Sequence, residues 1–359
     1  MRTVRDIRLF ENVPMLVRAA LNVPIENGRV TNDYRLRRAL PTIQYLRERS
    51  AKVVLISHLG ERGTETLQPV AEALGKLISG VTFFGEATGV RARDAVRALA
   101  PGGVLVLENL RRNKGEVHND PSFARELAAL ADVFVEDSFD TCHRVHASIV
   151  GVPKLLPSYA GLLLEEEVRE LSCALTPKHP ALAVIGGAKF STKEPVITAL
   201  LTTYDKMFVG GALANDFLKA SGQEVGKSLV SGGDLGHIKK LLANPKLVLP
   251  VDSVVVSDMI LDHGSGTIAL LSGLAEKAKT ILWNGPLGNY ENGFINATDA
   301  FARAVAASDA HSIIGGGDTI ASIENLGLFS KISFVSTGGG AMIEFLAKGT
   351  LPGIDALGL

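Results

Sequence analysis

Two clusters of residues have the types and spacing needed to handle phosphate. In the second half, apolar runs repeatedly end in glycine: Leu182-Ala183-Val184-Ile185 into Gly186-Gly187-Ala188-Lys189, Met207-Phe208-Val209 into Gly210-Gly211-Ala212, and Ile281-Leu282-Trp283 into Asn284-Gly285-Pro286-Leu287-Gly288. Two more follow: Ser312-Ile313-Ile314 into Gly315-Gly316-Gly317-Asp318-Thr319, and 332–337 into Gly338-Gly339-Gly340. Each reads as strand, tight turn and helix start. Glycine lets backbone N–H groups approach a ligand with no Cβ in the way, and a helix N-terminus adds about half a positive charge directed at an anion. A glycine triplet also serves as a plain turn, but repetition along one sheet edge favours a single nucleotide-sized site. Lys189 and Lys193 stand four apart on an expected first helical turn, which would put both on one face. Two cations there repel each other and the helix dipole, so a bound polyphosphate explains them better than folding does. Asp318 has two compatible roles, helix N-cap and ligand of Mg²⁺ on the same phosphates.

The first half lacks glycine triplets. Its strand ends and following loops instead carry Arg18, His58, Arg62, Arg111, Arg112, His143, Arg144 and His146. One arginine at a strand end is ordinarily a solvated rim residue; several on one edge suit a small, highly charged anion, since arginine forks match phosphate and carboxylate. Arg35 belongs to a basic first turn, Asp33-Tyr34-Arg35-Leu36-Arg37-Arg38, which opposes the helix dipole unless an anion lies nearby.

The elements that must position these residues alternate. Apolar runs at 13–18, 53–57, 81–84, 104–107 and 133–135 read as strands, and 33–48, 67–78 and 120–131 as helices. That alternation predicts an α/β fold of parallel βα units, which bind ligands beyond the carboxyl ends of the strands. The stretch AGLLLEEEVRELSCALTP at 160–177 reads as a connecting helix between two halves, or as an ordinary core helix.

Composition narrows the classes. At 359 residues there is room for two domains, and 46% hydrophobic with 6% aromatic residues suits a soluble α/β protein. A net charge of −1 argues against a general nucleic-acid binder, so anions must be bound by local clusters. Cys142 and Cys173 form no disulfide framework or metal spacing, the N-terminus has no apolar signal core, and no run is long enough to cross a membrane; a cytoplasmic location is expected. Two motifs are decoys. The run 221–228 ends like a P-loop but has Ser221 at the first glycine position, and His143-Arg144-Val145-His146 has no evident third metal ligand.

In this order the motifs resemble phosphoglycerate kinases along nearly the whole chain. The matching residues are Arg18 with Asn22-Val23-Pro24; Arg35; Ser57-His58-Leu59-Gly60; Leu107-Glu108-Asn109-Leu110-Arg111; the segment 137–146 with His143-Arg144; Gly186-Gly187-Ala188-Lys189 with Lys193; Trp283 to Gly288; Gly315 to Thr319; Ser336 to Ala341; and Leu351 to Leu357. The resemblance implies two Rossmann-like lobes, each a mainly parallel sheet flanked by helices: 1–160 for 3-phosphoglycerate and 178–345 for Mg-nucleotide. It further implies a hinge helix at 161–177 and a tail, 346–359, returning to the first lobe. Reversible phosphoryl transfer between 1,3-bisphosphoglycerate and ADP in glycolysis is the implied reaction, by a monomer that closes about its hinge. Glycerate would be held by Arg18, Asn22, Arg35, His58, Arg62, Arg111, His143 and Arg144. Nucleotide would be held by Gly186, Lys189, Lys193, Gly210, Gly211, Pro286, Gly288, Asn289, Glu291, Gly315, Gly316, Gly317, Asp318 and Thr319, with Mg²⁺ on Asp318. Arg35, Lys193, Gly317 and Gly338 would serve the transfer itself.

Four positions depart from the family pattern. Ala20 stands where Asp is usual, Glu61 where Arg is usual with Arg62 beside it, Thr192 where Asp is usual, and Asp140 where Gly is usual. Ala20, Glu61 and Thr192 motivate an alternative, a nucleotide-binding protein of this fold with lost or altered acceptor activity. An enzyme for a different phosphorylated acid fits both sets, whereas a nicotinamide oxidoreductase lacks its Gly-x-Gly-x-x-Gly turn with an acidic partner.

Overall fold

The computed structural model describes residues 1–358. The chain divides into two compact units, one formed by Met1–Val168 with the residues from Thr350 onward, the other by Arg169–Gly349. Leu359, the last residue of the expected tail, lies outside the described residues.

The first unit runs β1 (Pro14–Ala19), a small hairpin β2 (Ile25–Glu26) and β3 (Arg29–Val30), α1 (Tyr34–Arg47), β4 (Lys52–Ile56), α2 (Gln68–Leu77), β5 (Val81–Phe84) and α3 (Val90–Ala98). It continues with β6 (Val104–Leu107), α4 (Lys114–Val117), α5 (Pro121–Ala128), β7 (Val133–Asp137) and β8 (Ser158–Ala160). Six strands form one sheet in the order β5-β6-β4-β1-β7-β8, every pair parallel. The strands read as unbroken apolar runs because helices cover both faces of a parallel sheet. Met15, Val17 and Leu55 from the strands pack with Leu36 and Ile43 of α1 and Val70 and Leu74 of α2.

The helix α6 (Leu162–Leu175) contains the boundary between the units, at Val168 and Arg169. Then come β9 (Ala181–Ile185), α7 (Phe190–Thr203), β10 (Lys206–Val209), α8 (Leu213–Ala220), α9 (Leu235–Leu242), β11 (Leu247–Val248), and a hairpin of β12 (Ser253–Val256) and β13 (Met259–His263). The second unit ends with α10 (Ser265–Lys277), β14 (Thr280–Asn284), α11 (Asn296–Ala307), β15 (His311–Gly315), α12 (Gly317–Asn325), β16 (Phe334–Val335) and α13 (Gly340–Lys348). Its six-stranded sheet has the order β11-β10-β9-β14-β15-β16, again all parallel. All five glycine-bearing turns therefore follow strands that run the same way. The last helix, α14 (Pro352–Ala356), belongs to the first unit, where the Gly353 N–H donates to the Cys142 carbonyl at 2.8 Å.

Candidate functional site

At the carboxyl edge of the first sheet, Arg18 ends β1 only 1% exposed. Its Nε donates to Ser148 Oγ at 3.1 Å, its Nη1 to the Ala19 carbonyl at 3.1 Å and Ser57 Oγ at 3.3 Å, and its Nη2 lies 2.9 Å from His58 Nδ1. A guanidinium has no acceptor, so His58 Nδ1 accepts and the ring proton is on Nε2. Burial, then the charges of Arg18, Arg111 and Arg35, hold the His58 pKa well below 6.5, so the ring is neutral. Burial, Arg111 and Arg18 likewise lower that of His146 to about 4. Arg35 Nη1 donates to the Asn22 carbonyl at 2.7 Å, the Asn22 Oδ1 accepts the Gly60 N–H at 3.2 Å, and Arg111 Nη1 donates to the Gly60 carbonyl at 2.7 Å. Arg18 with His58, and Arg35 with Asn22 and, through Gly60, with Arg111, thus form two hydrogen-bonded groups; His143 is half-buried and Arg62 and Arg144 are exposed. Burial first, then the charges of Arg18 and Arg144, lower the Arg111 pKa. Like charges crowded in this way are what a polyanion relieves.

The spacing of the sequence did not disclose Ser138, Ser148 or Glu116. Ser148 Oγ donates to Glu116 Oε1 at 2.6 Å and its N–H to Oε2 at 3.0 Å, so the wholly buried Glu116 holds the serine that holds Arg18. Of the departures, Ala20 is buried, Glu61 is exposed with its charge acting on Arg111, and Thr192 donates its hydroxyl to the Lys189 carbonyl at 2.9 Å.

In the second unit the glycine turns interlock. Gly186 donates to the Asn284 carbonyl at 2.8 Å, Gly187 to the Pro286 carbonyl at 3.2 Å, and Leu213 to the Gly187 carbonyl at 2.8 Å. Gly187 has φ +100°, and a Cβ on Gly186 would overlap the Pro286 carbonyl, so neither position admits a side chain without strain. Lys189 and Lys193 do not share a helical face. Lys189 caps α7 in an extended conformation and is exposed, because the helix begins only at Phe190. Lys193 turns inward instead, donating to Asn284 Oδ1 at 2.6 Å, and burial lowers its pKa to about 8. Gly316, at φ +103°, caps α12, so the first amides of that helix, from Gly317, Asp318 and Thr319, have no intrahelical partner. Gly338 donates its N–H to Ser336 Oγ at 3.0 Å, and the Thr319 side chain is wholly buried beneath the turn.

A cavity of about 390 Å³ opens beside these turns, and Gly211, Pro286, Gly288, Asn289, Glu291 and Asp318 all line it. Gly186, Lys189, Lys193, Gly210, Gly315, Gly316, Gly317 and Thr319 do not. The other wall comes from β13, including Leu261, Asp262 and His263. His263 Nε2 accepts the Gly211 N–H at 3.1 Å; burial lowers its pKa to about 4, so a neutral ring fixes this turn. Asp262 accepts the N–H groups of His263 at 2.9 Å and Ala297 at 3.3 Å, and a Cβ on Gly288 would overlap its carboxylate. Burial and the Glu291 charge raise the Asp318 pKa, a pairing that a divalent cation reverses. Among the described residues no group of three or more ligating side chains surrounds that point.

The family model described as phosphoglycerate kinase matches residues 4–349. A phosphoglycerate kinase of Moorella thermoacetica is 44% identical, covering 99% of this chain and 98% of its own length, and that of Rubrobacter xylanophilus is 44% identical with the same coverage. Among solved structures, phosphoglycerate kinase of Coxiella burnetii aligns with a TM-score of 0.84 at 40% identity, and that of Pyrococcus horikoshii with 0.91 at 31%. Each covers 99% of this chain and 98% of its own. Similarity of this extent, over both sheets and the turns between them, makes the chain a member of the phosphoglycerate kinase family.

Proposed function

We propose that the first unit holds 3-phosphoglycerate on its arginine cluster and the second holds Mg-nucleotide in its glycine-lined cavity. The chain is a phosphotransferase with a carboxyl acceptor, exchanging a phosphoryl group in glycolysis between 1,3-bisphosphoglycerate with ADP and 3-phosphoglycerate with ATP. A carboxylate oxygen of 3-phosphoglycerate bonds to the γ-phosphorus as the bond from that phosphorus to the bridging oxygen breaks and ADP leaves. No protein nucleophile takes part, so positioning and charge neutralisation supply the rate.

The observation that carries this reading is the buried Arg18, held by hydroxyls, a carbonyl and a neutral imidazole, with Arg35 paired to Asp140 and with Arg111 and Arg144 adding positive charge beside it. That cluster suits the phosphate and carboxylate of the glycerate. Lys193 and the first amides of α12 are assigned to the transferring phosphoryl group. Asp318 is assigned to Mg²⁺. A single carboxylate is enough there, because Mg²⁺ keeps waters and binds chiefly through substrate phosphates. Two ligands on two units must be brought together, which makes α6 the hinge and lets closure exclude water from the acyl phosphate. A monomer in the cytoplasm completes the proposal; among the described residues no helix is long and apolar enough to cross a membrane.

The test is ATP-dependent turnover of 3-phosphoglycerate with Mg²⁺, coupled to consumption of the acyl phosphate. Turnover should fall roughly 10²- to 10³-fold in both Lys193→Ala and Arg35→Ala. Absence of turnover in the native chain, or loss in neither variant, overturns the assignment.

A further inference from the structure

A buried carboxylate in the loop after β7, that of Asp140, is paired with Arg35. Asp140 lies in the turn Phe139–Thr141 that follows β7. Its side chain is 5% exposed and its Oδ2 is 3.4 Å from Arg35 Nη1, the same nitrogen that donates to the Asn22 carbonyl at 2.7 Å. Its Oδ1 accepts the Ser138 hydroxyl at 2.6 Å, and Ser138 Oγ in turn lies 3.4 Å from Arg18 Nη1. One buried carboxylate therefore joins the two arginines at the heart of the cluster.

We propose that Asp140 is a positioning residue for Arg35. The inference rests on the acceptor-site reading above. Arginine carries a long, rotamer-rich stem, so a guanidinium already pinned between the Asn22 carbonyl and a carboxylate loses less freedom when the transition state forms. Asp140 thus acts through Arg35 on kcat more than on either KM.

The test is a double-mutant cycle on the full-length enzyme with 3-phosphoglycerate and Mg-ATP, with melting curves for each variant. Asp140→Gly and the near-isosteric Asp140→Asn should each lower kcat about 10- to 100-fold, the range of one charged hydrogen bond, with both KM values within about threefold of native. On an Arg35→Ala background the same changes should cost less than about twofold further. An unchanged kcat in Asp140→Gly and Asp140→Asn, or an equal loss with and without Arg35, overturns the inference while leaving the kinase reading standing. A native chain with no turnover overturns both.

Discussion

Burial holds the Lys193 ammonium at a pKa of about 8, against an ordinary 10.5, and its one hydrogen-bond partner given by the structure is the neutral Asn284 amide. Between these two values the unfolded chain binds more protons than the folded one, so the native protein gains stability as pH rises through that window. The penalty for the buried charge is complete below pH 8. Lys193→Met should therefore stabilise the protein at pH 7 by about 1–3 kcal/mol, with the gain shrinking towards pH 10, while lowering turnover roughly 10²- to 10³-fold. Urea unfolding at several pH values checks the first half; a gain independent of pH would contradict it. In activity the sign is opposite. kcat/KM for nucleotide should fall above pH 8 as the free enzyme loses this proton, while kcat persists to higher pH because a bound polyphosphate favours the ammonium. At this scale the sequence disclosed which groups carry charge but not which way they turn. Glycine spacing pointed to Lys193, yet Lys189 next to the turn is exposed, and Ser148, Glu116 and His263 act through partners dozens of residues away that no local pattern announces.

The helix α6 belongs to both units. Its first turn is held by the first unit, where Asp137 Oδ1 accepts the N–H groups of Leu163 at 3.0 Å and Leu164 at 3.2 Å and Thr42 Oγ1 accepts that of Leu162 at 2.9 Å. Its last turn is held by the second, where Tyr204 donates its hydroxyl to the Ala174 carbonyl at 2.8 Å. The capping carboxylate fits only because Gly161 has no side chain; a Cβ there would overlap it. Gly161→Ala should displace this cap and destabilise the protein by about 1–2 kcal/mol, measured by denaturant unfolding, and should slow turnover if α6 is the hinge. Unchanged unfolding would show that the cap has another route. Apolar runs bounded by glycine and proline disclosed this helix and most of the strands within a residue or two. The exceptions have physical causes. The run 332–337 yields only the two-residue edge strand β16, the three-residue β8 is too short to show a period, and the β12–β13 hairpin, whose valines are exposed on β12, alternates too weakly to mark its second strand as a cavity wall.

Over the whole molecule, the first unit is assembled from both ends of the chain, with the second unit inserted between them. Alternating strands and helices made two parallel sheets legible, but the final residues contain no periodic pattern that says where they pack. Their place follows from long-range contacts: Leu351, Ile354 and Leu357 are buried, and a Cβ on Gly353 would press on Cys142 and Ile149 at about 3 Å. Ending the chain after Gly349 removes three aliphatic side chains from the first unit and uncovers the pocket that received them. Each such burial contributes about 1.5–3 kcal/mol, partly offset by the entropy of ordering the segment, so the first unit should lose about 3 kcal/mol. The second unit contains the whole glycine-lined cavity, so its affinity for ADP should remain within about twofold of native. Titration calorimetry with ADP, alongside urea unfolding of the truncated chain, separates the two effects. A synthetic peptide of residues 350–359 added in trans should restore much of the lost stability by mass action. Loss of ADP affinity on truncation, or no change in unfolding, would mean that the tail does not act through the first unit.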